Sequence, residues 1–355
     1  MERVVESLCH STRGRVASRV IAFNTSRQTV REEVNGIPVT RVGVAAVFGS
    51  VPVAPALTRE LRRTRADAMV LHEPNPWALL SFALSRPAAP FAIWFHSEVI
   101  RPRLQYTLFY EPLVRAVYSR AHRIVVSSPT LGEQARALEP YRDRVRVIPF
   151  GIDVESWAAT PAITARAAEI RHSAAGRPLV LFAGRMVPYK GVDVLVRALA
   201  RLDVTAILAG DGPSRGEAIA RAQSLNLNGR VRFAGAVSPQ ELVALYHACD
   251  IFVLPSITPA EAFGYVQLEA MACGKPVIST RVASGVPWVN RHDETGLTVP
   301  PGDERALADA IGALAADPAL RARMGSAGRA RIAAEFTLER MAERTTALYE
   351  EVAGS

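Results

Sequence analysis

A chain of 355 residues is longer than one ordinary hydrophobic core sustains and suits two domains. Its composition, 49% apolar and 21% charged, excludes a disordered, collagen-like or coiled-coil protein. Of the net charge of +8, residues up to Phe150 hold 21 Lys+Arg against 12 Asp+Glu, or +9, and the rest hold 21 against 22, or −1, so the excess lies in the first half, where it suits either a face that attracts phosphate, anionic lipid or nucleic acid or a basic surface with no partner.

In chain order, the first half offers strand patterns at Val16–Phe23, Ala68–His72, Phe91–Phe95, Arg123–Val126 and Val145–Ile148. Helical patterns lie between them, as at Pro55–Arg65 and Leu104–Ser119. Gln28–Val34 and Ile37–Val42 flank Asn35-Gly36, the signal of a type I′ hairpin turn. Apolar alternation stops over Pro149–Ala175, the expected domain boundary. Beyond it, strands are expected at Leu179–Ala183, Thr205–Ala209, Val231–Ala234, Ile251–Leu254 and Pro276–Ser279. Helices between them should begin near Gly191, Pro213, Pro239 and Phe263, and Pro318–Val352 reads as helical throughout. Strand, helix, strand at this spacing predicts parallel sheets with right-handed crossovers, hence two doubly wound domains with a cleft between them.

Cys9, Cys249 and Cys273 share no metal-ligand spacing, and so few thiols suit a reducing compartment rather than a disulfide scaffold. The most apolar window, Trp77 to Phe95, is broken by Arg86, Pro87 and Pro90, so no spanning helix is expected. Nor is a secretory leader expected, because the first residues do not combine a charged n-region with an apolar h-region.

The segment from Pro255 to Ile278 carries the most chemistry. Glu261 sits in a loop after an apolar strand, and Phe263 and Gly264 are expected to open a helix that holds Glu269. Between the two carboxylates a helix N-terminus would seat a phosphate. A nucleoside-diphosphate sugar fits, with its sugar at Glu261, its diphosphate at the helix end and its ribose at Glu269. Two glutamates solvated on an ordinary surface helix are the plainer reading. From Phe182 to Leu199, a strand ends at Gly184 and is followed by Arg185, Lys190 and a helix with Val192, Leu195, Val196 and Leu199 on one face. Two cations on such a loop can neutralise a leaving diphosphate; alternatively they are loop charges in water. Leu208–Pro213 (LAGDGP) is a third strand-to-helix loop, neither a G-x-G-x-x-G fingerprint nor a P-loop, whose glycines would let backbone approach a ligand or simply make a tight turn.

In the first half, His96 follows the strand Phe91–Phe95, and His72 and Asn75 lie at the end of the strand before it. Side chains there point to the ligand end of a parallel sheet. His96 could bond a sugar hydroxyl or leaving phosphate, and His72 and Asn75 could line an acceptor pocket. Arg101–Arg123 interleaves Arg101, Arg103, Arg115, Arg120 and Arg123 with leucines, valines and aromatic residues. That pattern suits a helix lying on an anionic membrane or a core helix with a charged rim, and both readings stay open.

Gly184-Arg185…Lys190-Gly191, Gly210-Asp211-Gly212-Pro213, and Glu261 seven residues before Glu269, in this order, resemble the family-4 retaining glycosyltransferases. Pro149-Phe150-Gly151-Ile152-Asp153 is similar to that family's entry into the second domain, and His96-Ser97-Glu98 to a first-half His-Ser-Asp. The resemblance implies an α/β GT-B fold: two Rossmann-like domains, residues 1–150 for the acceptor and 151–335 for the nucleotide sugar, with 336–355 a helix packing back toward the first. It implies a retaining, metal-independent hexosyltransferase with no cofactor, which uses a nucleoside-diphosphate sugar and a glycan or lipid-linked acceptor in cell-surface polysaccharide assembly. Such a protein is expected in the cytoplasm or on the cytoplasmic face of the membrane. On its membrane reading, Arg101–Arg123 would add an anionic lipid surface as a partner, and no nucleic acid is expected, since the sequence carries no RNP, helix-turn-helix or zinc pattern. Residue by residue, Gly184, Arg185 and Lys190 match the diphosphate site. Glu261 matches the acid facing the sugar, and Phe263, Gly264 and Tyr265 the sugar and phosphate loop. Glu269 matches the ribose-binding acid, Gly210 and Val237 the nucleotide-side backbone, and His96 the histidine near the leaving group. One departure stands out: family members open with a strand and a glycine-rich loop, whereas this chain opens at the following helix, Glu2-Arg3-Val4-Val5. The expectation is either that the start is assigned late or that the first strand and its loop are missing, and in the second case the rival reading is a nucleotide-sugar binder or epimerase with little transferase activity.

Overall fold

The computed structural model describes residues 2–49, 51–98 and 110–355. In chain order the helices are α1 (Glu2–Ser11), α2 (Ala56–Arg63), α3 (Pro76–Ser85), α4 (Glu111–Tyr118), α5 (Pro129–Gln134), α6 (Pro161–His172) and α7 (Val192–Leu199). They continue with α8 (Arg215–Ser224), α9 (Pro239–Ala248), α10 (Val266–Ala272), α11 (Val286–Val289), α12 (Glu304–Ala316), α13 (Pro318–Glu335) and α14 (Leu338–Ala353). The chain divides into two compact units, residues 1–150 with 338–355, and residues 151–337.

In the first unit, β1 (Val20–Phe23) pairs in parallel with β3 (Ile37–Val42), and β3 pairs antiparallel with β2 (Val30–Val34). The expected strand at Val16 begins only at Val20, after the turn that ends α1. Asn35 and Gly36 both have positive φ, 51° and 76°, which is the type I′ turn that the dipeptide predicts. A hairpin absent from the sequence reading follows, β4 (Ala46–Phe48) with β5 (Val51–Val53). Next, β6 (Met69–Glu73), β7 (Phe91–Phe95), β8 (Arg123–Val126) and β9 (Val145–Val147) form an all-parallel sheet in that order. Among the described residues no strand joins this sheet to β1–β3, so the unit holds separate sheets that share one core. Val42, Leu71, Phe82, Ile93, Val114 and Val126 are part of it.

Helix α4 settles one open reading for the residues described. Its apolar side, Val114, Val117 and Tyr118, is buried in that core, while Arg115 is exposed and pairs with Glu111 at 2.6 Å. Over 111–118 the pattern is therefore a core helix with a charged rim. Arg101, Arg103 and the rest of 99–109, for which a membrane-facing helix is one expectation, lie outside the described residues.

The second unit has one six-stranded parallel sheet. Its strands are β10 (Leu179–Ala183), β11 (Thr205–Ala209), β12 (Val231–Gly235), β13 (Ile251–Leu254), β14 (Val277–Thr280) and β15 (Gly296–Val299), the last not foreseen. The spatial order is β12-β11-β10-β13-β14-β15. β10 and β13 are buried at every position, as the continuous apolar runs LVLFA and IFVL require of central parallel strands. Because the chain winds one way from β10 to β12 and then the other way from β13, the neighbours β10 and β13 mark the topological switch point, where open α/β sheets place their ligand. The expected linker is not irregular throughout: it holds α6, started by Pro161 and capped by Thr160, whose hydroxyl accepts from Ile163 N.

The helical tail is interrupted. Phe336 leaves the helical conformation and is fully buried against Trp288 and Phe263, at ring separations of 5.4 and 6.2 Å. The backbone break is used at once, since Ile152 N donates to Phe336 O at 2.8 Å. α14 then packs on α1 and β7 of the first unit, where Arg123 ion-pairs with Glu351. No described helix is long and apolar enough to cross a membrane.

Candidate active site

The loops that leave β10, β11 and β12 lock into one another through glycine. Gly210 has φ of 127°, and a Cβ there would lie 2.0 Å from the Gly184 carbonyl oxygen. Gly184 N donates to Ala209 O at 3.0 Å and Gly210 N to Gly235 O at 2.7 Å. The structure thus shows a packing role for these glycines, in which backbone approaches backbone. Gly191, with φ of 66°, is held likewise: a Cβ would meet Pro255 O at 2.1 Å, so only glycine lets the turn before α7 lie against the loop after β13.

That close approach brings Lys190 to Glu261. Lys190 ends a short 3-10 turn after β10, and Glu261 lies in the loop after β13. Both side chains are about nine-tenths buried, and Lys190 Nζ forms an ion pair with Glu261 Oε2. Ser256 Oγ donates to the same carboxylate oxygen at 3.3 Å, and Ser284 Oγ donates to Glu261 O at 2.6 Å. Neither residue is a loop charge in water. Arg185 differs from its expected partner, being exposed.

Glu269 is also buried, 3% exposed, so the picture of two solvated glutamates fails. Its helix begins at Val266 rather than Phe263, because the chain bends over 261–263 and Gly264 takes φ of 72°. Tyr246 Oη on α9 donates to Glu269 Oε2 at 2.8 Å. Burial raises the Tyr246 phenol well above its ordinary pKa, and the Glu269 carboxylate adds to that, so the hydroxyl stays a donor. Phe263 is buried in the aromatic cluster of Trp288 and Phe336. The Tyr265 hydroxyl donates to Gly151 O at 3.0 Å, which ties the loop to the start of the unit. Val237 follows β12, on the loop beyond Gly235. Ser256, Ser284 and Tyr246 were not singled out from the sequence. Each acts across a sequence gap, and nothing local marks it.

In the first unit, His72 and His96 meet, with His72 Nδ1 and His96 Nε2 2.9 Å apart. Burial is the main cause that lowers their pKa values, to about 4 for His72 and about 3 for His96, so both rings are neutral at ordinary pH. Asn75 proves to be the N-cap of α3, its side chain accepting from Ala78 N at 3.1 Å. Glu73, between them in sequence, points to the opposite sheet face and is fully buried. Tyr110 Oη donates to Glu73 Oε2 at 2.8 Å, and burial pushes the carboxyl up to about 8. Among the described residues no group of three or more His, Cys, Asp or Glu is placed to hold a metal ion.

The family model for glycosyl transferases group 1 matches residues 166–331, and that for a glycosyl transferase 4-like domain matches residues 1–151. The chain is 31% identical over 340 residues to D-rhamnosyltransferase WbpZ of Pseudomonas aeruginosa, covering 95% of this chain and 88% of that protein. It is 28% identical over 304 residues to O-antigen chain mannosyltransferase C of Escherichia coli, covering 85% and 80%. Among solved structures, Anabaena HepE in complex with UDP and glucose aligns with a TM-score of 0.76 at 23% identity over 98% of this chain and 95% of that one. Sucrose-phosphate synthase of Thermosynechococcus elongatus aligns with a TM-score of 0.76 at 24% identity over 99% and 92%. These last two likenesses give the fold, GT-B, with its Rossmann-like α/β units. With one family model on each half of the chain and a relative matched over nearly its whole length, the protein belongs to the group 1 glycosyltransferases of family 4.

Proposed function

We propose that the protein moves a hexosyl unit from a nucleoside-diphosphate sugar to a hydroxyl of a glycan or lipid-linked acceptor, with retention at the anomeric carbon and no metal ion or cofactor. The observation that carries this reading is the buried Lys190–Glu261 pair at the switch point of the six-stranded sheet, with Glu269 buried nearby in sequence on α10. Lys190 and Arg185 would stabilise the charge of the departing diphosphate. Lys190 has three N–H donors, so it can keep one on Glu261 and offer others to phosphate. Gly184, Gly210 and Val237 would meet the nucleotide through backbone, Phe263, Gly264 and Tyr265 would shape the sugar and phosphate loop, and Glu269 would accept from the ribose. In the transfer step the acceptor oxygen bonds to the anomeric carbon as its bond to the phosphate oxygen breaks, and the acceptor proton passes to that phosphate. His96 is assigned to substrate binding in the first unit, with His72 beside it.

Relatives named for D-rhamnosyl and O-antigen mannosyl transfer support a place in surface-polysaccharide assembly. Placement in the cytoplasm or on its membrane face, with contact to anionic lipid, is part of the same proposal. The test is release of nucleoside diphosphate from candidate UDP- and GDP-sugars with and without glycan acceptor. Acceptor-dependent release supports transfer; release that ignores the acceptor, or binding without release, points to the nucleotide-sugar binder.

A further inference from the structure

His72 and Trp94 are register partners on β6 and β7, and His96 follows β7 on the same sheet face. The imidazoles of His72 and His96 have centroids 5.2 Å apart and planes 18° apart, with 2.9 Å between Nδ1 of the first and Nε2 of the second. A centroid separation so much longer than the N···N contact, at so small an angle, sets the rings edge to edge. That is the geometry an in-plane nitrogen lone pair requires. Flanking rings fix both planes: Trp94 lies 5.8 Å from His72 and 6.4 Å from His96, and Phe150 lies 5.9 Å from His96, all within 24° of parallel.

A neutral imidazole carries one N–H and one bare nitrogen. The contact therefore needs one of the two facing nitrogens protonated and the other bare, and the tautomer of each ring dictates that of its partner. With Nε2 engaged, Nδ1 is the nitrogen of His96 left to meet a ligand; it makes no hydrogen bond among the described residues. A phosphate oxygen or sugar ring oxygen only accepts, so His96 must present Nδ1–H to bind one. Its Nε2 is then bare and has to be given a proton by a neighbour. We propose that His72 is a positioning residue that donates its Nδ1–H to His96 Nε2, locking His96 as the Nδ1–H tautomer so that it meets substrate oxygen as a donor. This rests on the reading that His96 binds substrate in a transferase. Burial supports it independently, because neither ring gains a second proton near neutrality and the lock holds.

The test begins with the full-length protein labelled with 15N at its seven histidines. The ring nitrogen shifts should show His96 protonated at Nδ1 and bare at Nε2, with a scalar coupling across the N–H···N bond from His72. A proton on His96 Nε2, or no coupling, overturns the proposal. In kinetics, His72→Phe keeps a flat ring but removes the donor, and His72→Asn restores an N–H near the Nδ1 position. His72→Phe should lower kcat about 10–100-fold with donor KM little changed, by analogy with the loss of a partner that orients a metal-bound imidazole, and His72→Asn should recover most of it. Wild-type turnover in His72→Phe, or equal loss in both variants, overturns the positioning role. His96→Phe separates the premise: normal turnover there removes His96 from the site, whereas the nitrogen shifts decide the tautomer lock whatever the activity.

Discussion

Lys190 and Glu261 lie far apart in sequence and form an ion pair about nine-tenths buried, each on the loop that follows one of two neighbouring central strands. Pairing two charges in a low-dielectric interior repays their desolvation only when geometry and added hydrogen bonds are good. Ser256 supplies one such bond to the carboxylate, and the Tyr189 ring lies 5.9 Å from the ammonium. The pair therefore holds its two loops in place as well as offering charge to a substrate.

Lys190→Ala should accordingly cost both stability and turnover. Removing one partner of a buried pair strands the other charge, at about 3–5 kcal/mol. Arg185→Ala, at an exposed position, should change stability by no more than about 0.5 kcal/mol while still lowering turnover with saturating donor. Urea denaturation of both variants checks the contrast. Equal stability losses would show that the environments of the two cations have been misjudged, and normal turnover in Arg185→Ala would remove it from the diphosphate site.

Glu269→Ala should weaken binding of nucleoside diphosphate by about 1.5–3 kcal/mol, the worth of a hydrogen bond to a charged group. Calorimetry with the ribo- and deoxyribonucleotides reads this directly. The variant should lose the preference for the ribose form, and a preserved preference would exclude Glu269 from ribose recognition.

Glu73 makes a prediction about pH. Its carboxyl is raised from an ordinary 4.5 to about 8, by burial above all. Between those values the folded protein keeps a proton that the unfolded chain has released, so stability falls as pH rises. The contribution is complete below about 4.5 and lost above about 8, a swing on the order of a few kcal/mol. His72 and His96 act in the opposite sense, but only below their ordinary 6.5. His247, also lowered by burial, acts in the same sense as these two, so comparing the unfolding free energies of wild type and Glu73→Gln from about pH 7.5 to 8, above the histidine range, isolates Glu73. Glu73→Gln should flatten the slope and be at least as stable as wild type at pH 8; an unchanged slope would assign it to another group.

Addition of EDTA should leave transfer intact, since Lys190 and Arg185 are assigned the charge of the diphosphate. A strict requirement for a divalent cation in a chelator titration would end that assignment.

Much of this was legible in the sequence. Strand runs such as LVLFA and IFVL, the Asn35-Gly36 turn and the apolar face of α7 are local patterns, and their periods follow from strand and helix geometry. The ordered motifs Gly184-Arg185, Lys190-Gly191, Gly210-Asp211-Gly212-Pro213 and Glu261 with Glu269 likewise carried the resemblance to the family-4 retaining glycosyltransferases. Other features were decided only when distant segments met. Lys190 proved buried because Gly191 can lie against the Pro255 carbonyl, and Asn75 proved a helix cap because its side chain turns back to Ala78. The helical tail broke at Phe336, whose ring packs against Phe263 and Trp288 from a distant part of the chain. The bond from Tyr246 to Glu269 and the one between His72 and His96 left no trace in any local pattern. Sequence fixes which groups a chain carries and how often they recur. Whether a given carboxylate or imidazole is solvated, paired or neutral depends on desolvation and on partners that only tertiary packing brings within a few ångströms.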